Sequence, residues 1–222
     1  MVYTDVTNTM TDSLNSWKGG TLTWIGSTRT RSKLIEATAR VALKLGLRNV
    51  TVRHILEDAA LSRRTFYQHF KSKDQAALAL YRSVSVELVG ETHRGLKSAE
   101  SLPDRLAAGV RAYLGFQTQV GDLLTMLRAE AVDPDSILAP MREQNLDTLG
   151  RLLDNEVFKA RALTLDPLVY RGLLVGLEGM AAFQRVDATL VPPNYDRVAE
   201  VATALFVAAL AGEGEVPRAQ EE

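Results

Sequence analysis

The chain has 222 residues, of which 46% are hydrophobic and 24% are charged, and it contains no cysteine. This composition is typical of a globular protein with a hydrophobic core. The lack of cysteine excludes disulfides, thiolate metal sites and cysteine nucleophiles. Three scattered histidines predict no metal site, and no apolar run is long enough to cross a bilayer. No secretory signal is evident, so we expect a cytoplasmic protein.

The charges are unevenly distributed along the chain. The net charge is −1, yet residues 28–73 contain eleven Lys/Arg and three Asp/Glu, which gives that segment +8 and leaves −9 for the rest. A basic segment joined to an acidic body predicts a local binding site for a polyanion.

Two features mark the beginning of the chain. Residues 1–27 are rich in Thr, Ser, Asn and Gly and predict a flexible arm, in which Trp17 and Trp24 are unusual. An apolar stripe at helical spacing then predicts a helix over residues 30–45, which Gly46 ends.

Two short helices follow, joined by a tight turn. Thr51 is the predicted N-cap of the first, whose apolar residues recur at i, i+3, i+4 and i+7. Ala60 and Leu61 form the predicted turn. Ser62 caps the second helix, which we expect to run to about Phe70.

The remainder of the chain is also predicted to be helical. A long helix begins after Lys73, and Pro103 lies in the first turn of the next one. Further helices are predicted over about 123–130, 136–162, 167–186 and 195–211. No run alternates with a period of two, so about nine helices and no sheet predict an all-α fold.

The short helix after Ser62 has two distinct faces. At roughly 100° per residue, Arg64 and Gln68 lie opposite Phe66 and Phe70. The two phenylalanines are therefore expected in the core and the polar pair in solvent. Arg recognises guanine and Gln recognises adenine through two hydrogen bonds each. This pattern predicts a helix-turn-helix whose second helix enters the DNA major groove.

The run TVRHILEDAALSRRTFYQHFKSK, residues 51–73, resembles the DNA-binding domain of the TetR family of bacterial transcription regulators. Members typically show T-hydrophobic-R, then S-x-x-T-hydrophobic-Y-x-H-F, then K-x-K. The matching residues here are Thr51, Val52, Arg53, Ser62, Thr65, Phe66, Tyr67, His69, Phe70, Lys71 and Lys73. The resemblance covers about residues 28–75. Ala60 departs from the usual Gly of the turn, and Arg64 stands where a small residue or Pro is common.

The resemblance implies which side chains contact DNA. The implied base contacts are Arg53, Arg63, Arg64, Thr65 and Gln68, and the implied phosphate contacts are Thr51, Tyr67, His69 and Lys73. Two of the latter, Thr51 and Lys73, lie near predicted helix N-termini, whose free N–H groups favour phosphate. Two alternatives stay open: Tyr67 packs against its neighbours, or His69 caps its own helix.

The resemblance also implies a dimer formed by the acidic body. Gly172, Gly176 and Gly179 align on one face of a predicted helix, where each glycine costs about 1 kcal/mol. The last helix, with Leu205 and Phe206, is apolar over most of its surface. These two helices predict a four-helix interface between two subunits. The alternative is that both pack inside their own chain.

A ligand pocket in the body is the third implication. The candidate lining residues are Tyr81, Tyr113, Phe116, Gln117, Met126, Arg128 and Glu130. A mixed lining of apolar and polar groups is typical of small-molecule sites. Aromatic and Met residues at helical spacing are equally typical of an ordinary core.

The predicted organisation is an arm (1–27), a helix-turn-helix domain (28–75), a ligand-binding and dimerisation domain (76–211) and a mobile tail (212–222). The predicted function is a ligand-responsive repressor that binds a palindromic operator as a homodimer. An architectural DNA-binding factor without an effector is the alternative. No nucleophile–base pair or phosphate loop is recognisable, so we expect no enzymatic activity, metal or cofactor.

Overall fold

The computed structural model describes residues 29–186 and 195–212, which form nine α-helices and no β-strand. The helices are α1 (Arg29–Leu45), α2 (Val52–Ala59), α3 (Arg63–His69), α4 (Lys73–Leu96), α5 (Leu102–Val120), α6 (Asp122–Val132), α7 (Ala139–Arg161), α8 (Pro167–Val186) and α9 (Tyr195–Leu210), with a 3₁₀ turn η1 (Leu47–Asn49) between α1 and α2. The predicted all-α fold is confirmed. The predicted arm and nearly all of the predicted tail lie outside the described residues.

The described helices divide into two compact units. The first unit contains residues up to Glu87 together with Gln119–Arg142, and the second contains Leu88–Thr118 together with the chain from Glu143 onward. Both α4 and α5 therefore contribute to both units. The predicted division of the chain at residue 75 stays a prediction.

The three-helix core of the first unit is closed and internally braced. Leu34, Ile55 and Phe66, one from each of α1, α2 and α3, are 0% exposed. At its edge, Arg40 of α1 and Asp58 of α2 form an ion pair, with Nη2 2.7 Å from Oδ2. The hydrophobic contacts and this bridge hold α1 and α2 together, so α3 rests on a rigid support.

The ends of α2 and α3 follow the predicted chemistry. The Thr51 hydroxyl accepts a hydrogen bond from the His54 N–H at 3.2 Å, and the Ser62 hydroxyl accepts one from the Thr65 N–H at 3.1 Å. Both are N-caps, which satisfy N–H groups that the helix leaves unpaired. Ala60 ends α2 in the left-handed conformation, at φ 50° and ψ 50°.

The second unit packs α4 against α5 through two glycines. A Cβ on Gly95 would lie 2.7 Å from the Ala108 carbonyl oxygen, and one on Gly109 would lie 2.7 Å from Leu96 Cδ2. A larger side chain at position 95 would push the helices apart, whereas one at position 109 would first displace the Leu96 side chain. Phe206 of α9 is 2% exposed. Its predicted place in a dimer interface is therefore wrong, because its ring is already enclosed by its own chain.

A buried carboxylate in the second unit carries three ion pairs. Glu156 of α7 is 3% exposed and contacts Lys97, Arg105 and Lys159. Burial raises the pKa of Glu156, but the hydrogen bonds from the three cations outweigh it and lower the pKa to about 2. This cluster ties α7 to α4 and to α5.

Candidate nucleic-acid interface

Helix α3 exposes the side chains that the helical pattern places outward. Phe66 and Phe70 are 0% and 3% exposed, whereas Arg63, Arg64 and Gln68 are exposed. The predicted orientation of this helix is confirmed. Contact between these side chains and DNA stays a prediction.

The three exposed side chains have no intramolecular partner. No hydrogen bond or ion pair joins Arg63, Arg64 or Gln68 to any other residue that the structure describes. Together they offer two guanidinium groups and one amide on one side of a short helix. These groups make the paired hydrogen bonds that base edges in the major groove require.

Two flanking residues of α3 are held in place by their neighbours. The hydroxyl oxygens of Thr65 and Ser62 lie 2.8 Å apart, so Thr65 is part of the cap of its own helix. The ring of Tyr67 packs edge-on against Phe66, with ring centres 5.4 Å apart, while Tyr67 stays 49% exposed. The ring of Tyr67 therefore packs while half of the side chain stays accessible, and its contact with phosphate stays a prediction.

Arg53, on α2, is highly exposed and already paired. Its Nε donates to Glu57 Oε1 at 2.7 Å, one helical turn away. This hydrogen bond raises the pKa of Arg53 and lowers the pKa of Glu57. Arg53 must exchange or share this partner to contact DNA, unlike the three exposed residues of α3.

Two of the four predicted phosphate contacts, Thr51 and Lys73, lie at helix N-termini. Thr51 caps α2 through its oxygen, so its hydroxyl proton is still available to donate. Lys73 is the first residue of α4, and its Nζ donates to the Arg48 carbonyl oxygen at 2.9 Å. The ammonium group keeps two further N–H donors. His69 is half-buried at the end of α3.

A cluster of ion pairs around Arg48 in η1 has no signature in the sequence. Its Nε donates to Glu130 Oε1 at 3.0 Å, and its Nη2 donates to Asp133. Glu130, predicted as a pocket candidate, is instead engaged in this ion pair. The hydrogen bonds that Arg48 donates to Glu130 and Asp133 raise the pKa of Arg48. The backbone N–H of Asp135, followed by Arg48, lowers the pKa of Asp133.

The other pocket candidates fall in both units. Tyr81, Met126 and Arg128 belong to the first unit, and Tyr113, Phe116 and Gln117 belong to the second. Tyr113 borders an apolar cavity of about 10 Å³, which holds one water molecule at most. Two open clefts, of about 310 Å³ in the first unit and 380 Å³ in the second, are lined by none of these six residues.

Gln117 carries an unsatisfied polar atom. Its Nε2 is buried and makes no hydrogen bond. A buried donor without an acceptor costs about 1–3 kcal/mol. This amide is therefore a place where a ligand with an acceptor atom would be stabilised.

Among the described side chains, the exposed residues of α8 and of α9 from Val201 onward are apolar or glycine, whereas Asp196, Arg197 and Glu200 at the beginning of α9 are exposed and charged. Across the part of α8 whose side chains are described, residues 167–182, every exposed residue is apolar or glycine. No atom lies within 4 Å of the Cβ position of Gly172, Gly176 or Gly179. The face also contains Leu168 and Val175, and on the adjacent α9 Val201, Ala204, Leu205 and Ala208. We call these residues the α8–α9 face. The alternative, in which these glycines pack within their own chain, finds no support among the described atoms, and their place in a dimer interface stays a prediction.

Other kinds of site are not evident in the described ranges. No group of three or more potential metal ligands occurs among residues 29–186 and 195–212. In the same part of the chain, no helix combines the length and apolar character needed to cross a bilayer.

A protein-family model matches the part of the chain that contains the interface residues. The model described as bacterial regulatory proteins, tetR family, matches residues 34–80, which span most of α1, all of α2 and α3, and the beginning of α4. None of the curated proteins compared with the chain matched its sequence.

Solved structures share the fold over most of the chain. A protein of Syntrophomonas wolfei named as a TetR-family transcriptional regulator has a TM-score of 0.69 at 13% identity, covering 83% of this chain and 96% of that one. The fatty acid degradation regulator FadR from Bacillus halodurans has a TM-score of 0.68 at 14% identity, covering 83% and 97%. The multidrug binding protein EbrR complexed with ethidium has a TM-score of 0.58 at 23% identity, covering 81% and 99%.

Proposed function

We propose that this chain is a TetR-family transcriptional regulator, because the model of that family matches residues 34–80, and that it is a repressor that binds a palindromic operator as a homodimer and is released by a small molecule. The observation that carries the proposal is the exposed, unpartnered set of Arg63, Arg64 and Gln68 on α3. Such a regulator acts in the bacterial cytoplasm and needs no catalytic group.

The base contacts come from the outward side of α3. Arg64 and Gln68 lie one turn apart on a helix whose opposite side is fixed by Phe66. A side chain that is accessible and has no competing partner forms base contacts without breaking other bonds first. We therefore assign sequence reading chiefly to Arg64 and Gln68, with Arg63 at the start of the helix. Arg53 and Thr65 also contribute base contacts, although each side chain already has a hydrogen-bond partner within the chain.

The phosphate contacts fix the position of α3 on the duplex. Thr51 and Lys73 lie at the N-termini of α2 and α4, and Tyr67 and His69 flank the reading side. Hydrogen bonds to phosphate set the register and orientation of a protein without selecting bases. The net charge of +8 over residues 28–73 adds sequence-independent affinity.

The homodimer is supported by the α8–α9 face. A contiguous apolar surface without exposed charge on α8 is typical of a protein–protein interface. Because the glycines there have open space above them, a helix of a second copy is able to approach the backbone closely. Leu205, which is 50% exposed, lies on the adjacent helix. Two such faces related by twofold symmetry place two α3 helices on one palindromic site.

The effector is supported by the unsatisfied amide of Gln117. We propose that a ligand with an acceptor group contacts Gln117, and that Phe116 and Tyr113 provide an apolar wall. Tyr81, Met126 and Arg128 complete the candidate set in the first unit. Of two proteins of similar fold, one is named a fatty acid degradation regulator and the other a multidrug binding protein complexed with ethidium, so the chemical class of the effector is left to the screen.

The small volume of the cavity at Tyr113, about 10 Å³, favours one second candidate, an architectural DNA-binding factor without an effector. A screen of metabolites by thermal shift and DNA release separates the two functions. The repressor requires a compound that raises the melting temperature and releases the operator. If the protein is an architectural factor, its affinity for DNA should be the same in the presence of every compound tested.

The central experiment is selection of bound duplexes from a random pool at a stated salt concentration. We expect a palindrome whose half-sites are about one helical turn apart. Arg64→Ala should then reduce affinity for the selected site by about 1–3 kcal/mol with less effect on random DNA. Lys73→Ala should weaken both kinds of DNA equally. The assigned roles would be contradicted if Arg64→Ala and Lys73→Ala lost the same affinity for the selected site and for random DNA.

A further inference from the structure

One arginine joins the turn before α2 to the end of α6 within the first unit. Arg48 Nε lies 3.0 and 3.1 Å from the two carboxylate oxygens of Glu130, and Arg48 Nη2 contacts Asp133. One guanidinium group therefore holds two carboxylates. We call these three residues the Arg48 cluster.

The backbone of the same residue is linked to a predicted phosphate contact. The Arg48 carbonyl oxygen accepts a hydrogen bond from Lys73 Nζ at 2.9 Å. Two residues further on, Val50 is buried, and its N–H donates to Leu47 O at 3.2 Å. The next residue is Thr51, the N-cap of α2. The turn that carries Arg48 therefore connects directly to both Thr51 and Lys73.

The Arg48 cluster differs from an ordinary surface ion pair. Arg48 itself is 66% exposed, but the side chains of Glu130 and Asp133 are only 20% and 34% exposed, compared with 85% and 59% for Arg53 and Glu57 in their pair. Charge-assisted hydrogen bonds from the fixed fork of an arginine are among the strongest in proteins. Exposed pairs one turn apart on a helix contribute little. The cluster is therefore able to hold a turn in place.

We propose that Arg48 is a positioning residue for DNA binding, which acts through the turn η1 to hold Thr51 and Lys73 where they meet phosphate. This inference rests on the proposed function, because it assigns Thr51 and Lys73 to the DNA contact. Arg48 itself is neutralised by Glu130 and Asp133 and does not touch DNA. The carboxylates at the end of α6 thereby promote DNA binding despite their negative charge.

This role is tested by whether removal of the two carboxylates raises or lowers the affinity for DNA. Removing negative charge near a DNA-binding module ordinarily raises its affinity for the polyanion. If the cluster positions the turn, Glu130→Gln combined with Asp133→Asn must instead lower the affinity. A purely electrostatic account and the positioning account therefore predict opposite changes.

The experiment measures the dissociation constant of the selected operator for full-length variants. We expect Glu130→Gln/Asp133→Asn and Arg48→Met each to weaken binding by about tenfold, which corresponds to 1.4 kcal/mol. The triple variant should be no weaker than either, because all three changes break the same contacts. Arg48→Lys, which keeps the charge and loses the fork, should lose about threefold.

Controls separate positioning from folding and from charge. Glu91→Gln removes one carboxylate from an exposed pair with Arg94 in the second unit and should leave affinity unchanged. Circular dichroism establishes the helix content of each variant, and Arg48→Lys keeps the test valid if Arg48→Met does not fold.

Three outcomes would overturn the role of Arg48. They are tighter binding by the carboxylate variant, unchanged binding by Arg48→Met, and additive losses in the triple variant. A wild-type protein that selects no sequence would instead contradict the proposed function.

Discussion

The Ser62 hydroxyl oxygen lies 2.8 Å from the Thr65 hydroxyl oxygen and accepts a hydrogen bond from the Thr65 N–H at 3.1 Å. This pair defines the beginning of α3, a helix of seven residues. A helix this short is unstable by itself, because nucleation is unfavourable and few hydrogen bonds follow. The cap therefore decides whether Arg63 and Arg64, in the first turn, are presented in helical geometry.

Ser62→Ala should lower both stability and DNA affinity. Loss of an N-cap costs about 1 kcal/mol of unfolding free energy. Because the frayed turn contains the predicted base contacts, we expect an additional loss of about fivefold in operator affinity. Urea denaturation and a binding titration measure the two quantities.

A matched cap in the second unit separates these effects. The Ser101 hydroxyl accepts a hydrogen bond from the Asp104 N–H at 3.2 Å and caps α5. Ser101→Ala should cost a similar free energy of unfolding and leave operator affinity unchanged. Equal binding losses for Ser62→Ala and Ser101→Ala would show that α3 does not depend on its cap for DNA contact.

Ala60→Gly should stabilise the protein. Ala60 is exposed and adopts φ 50°, a left-handed conformation that costs a residue with a Cβ about 1–2 kcal/mol. Glycine removes this strain but makes the unfolded chain more flexible. The net gain should be about 0.5–1 kcal/mol by urea denaturation. Ala162, exposed at φ 52° after α7, provides a second instance outside the interface, and Ala162→Gly should gain a similar amount.

The region from α2 to the beginning of α4 was predictable because its signals are local. Caps such as Thr51 and Ser62 act within three residues. The placement of Phe66 and Arg64 on opposite faces of α3 follows from helical geometry alone. The family pattern added an expectation of glycine at position 60. The structure shows why, since the residue there has a positive φ.

Glycines in the body show what the sequence does not distinguish. No described atom outside its own helix backbone lies within 4 Å of the Cβ position of Gly176, whereas the Cβ positions of Gly95 and Gly109 meet the facing helix. A glycine in a helix has the same sequence signature in both cases. Which face meets another helix depends on the tertiary arrangement, and this also placed Phe206 in the core rather than at an interface.

Ion pairs between residues far apart in the sequence could not be predicted either. Arg48 and Glu130 are separated by 82 positions. Nothing near Arg48 in sequence distinguishes it from the other basic residues of the segment, so it was counted only as charge. The sequence shows which residues are charged. It does not show which charges form ion pairs, because the fold decides which residues come together.

Glu156→Gln should destabilise the second unit at neutral pH. The native pKa of Glu156 is about 2, against 4.5 for an ordinary Glu, because three cations favour its charged form. A shift of this size corresponds to about 3 kcal/mol at most. Since Lys97 and Lys159 remain partly exposed and regain water when the carboxylate is lost, we expect a loss of about 2 kcal/mol by urea denaturation at pH 7.

The pH dependence of this loss has a defined direction. A lowered native pKa stabilises the fold above the unfolded value, and the stabilisation disappears as pH falls from about 4.5 through about 2. The stability difference between wild type and Glu156→Gln should therefore be full at pH 7 and shrink as the pH falls below about 4.5. A difference that grows on acidification would contradict the ion-pair assignment.

Val175→Arg should convert the protein to a monomer. Val175 is 42% exposed in the centre of the α8–α9 face, between Gly172 and Gly179. An arginine there would be buried without a partner against the same surface of a second subunit, and this costs several kcal/mol. We expect the dimer dissociation constant to rise by at least about a hundredfold, which corresponds to roughly 3 kcal/mol. Sedimentation over a range of concentrations measures the change.

The control for this variant is Val86→Arg, which places the same charge on α4 at a residue that is 43% exposed in the first unit. It should leave the dimer intact. Because a palindromic operator requires two α3 helices, Val175→Arg should also weaken operator binding, whereas its affinity for random DNA should fall less. A wild-type protein that sediments as a 24.4 kDa monomer at every concentration would contradict the homodimer. If Val175→Arg remains a dimer, the interface lies on another surface, and the glycines of α8 require a different explanation.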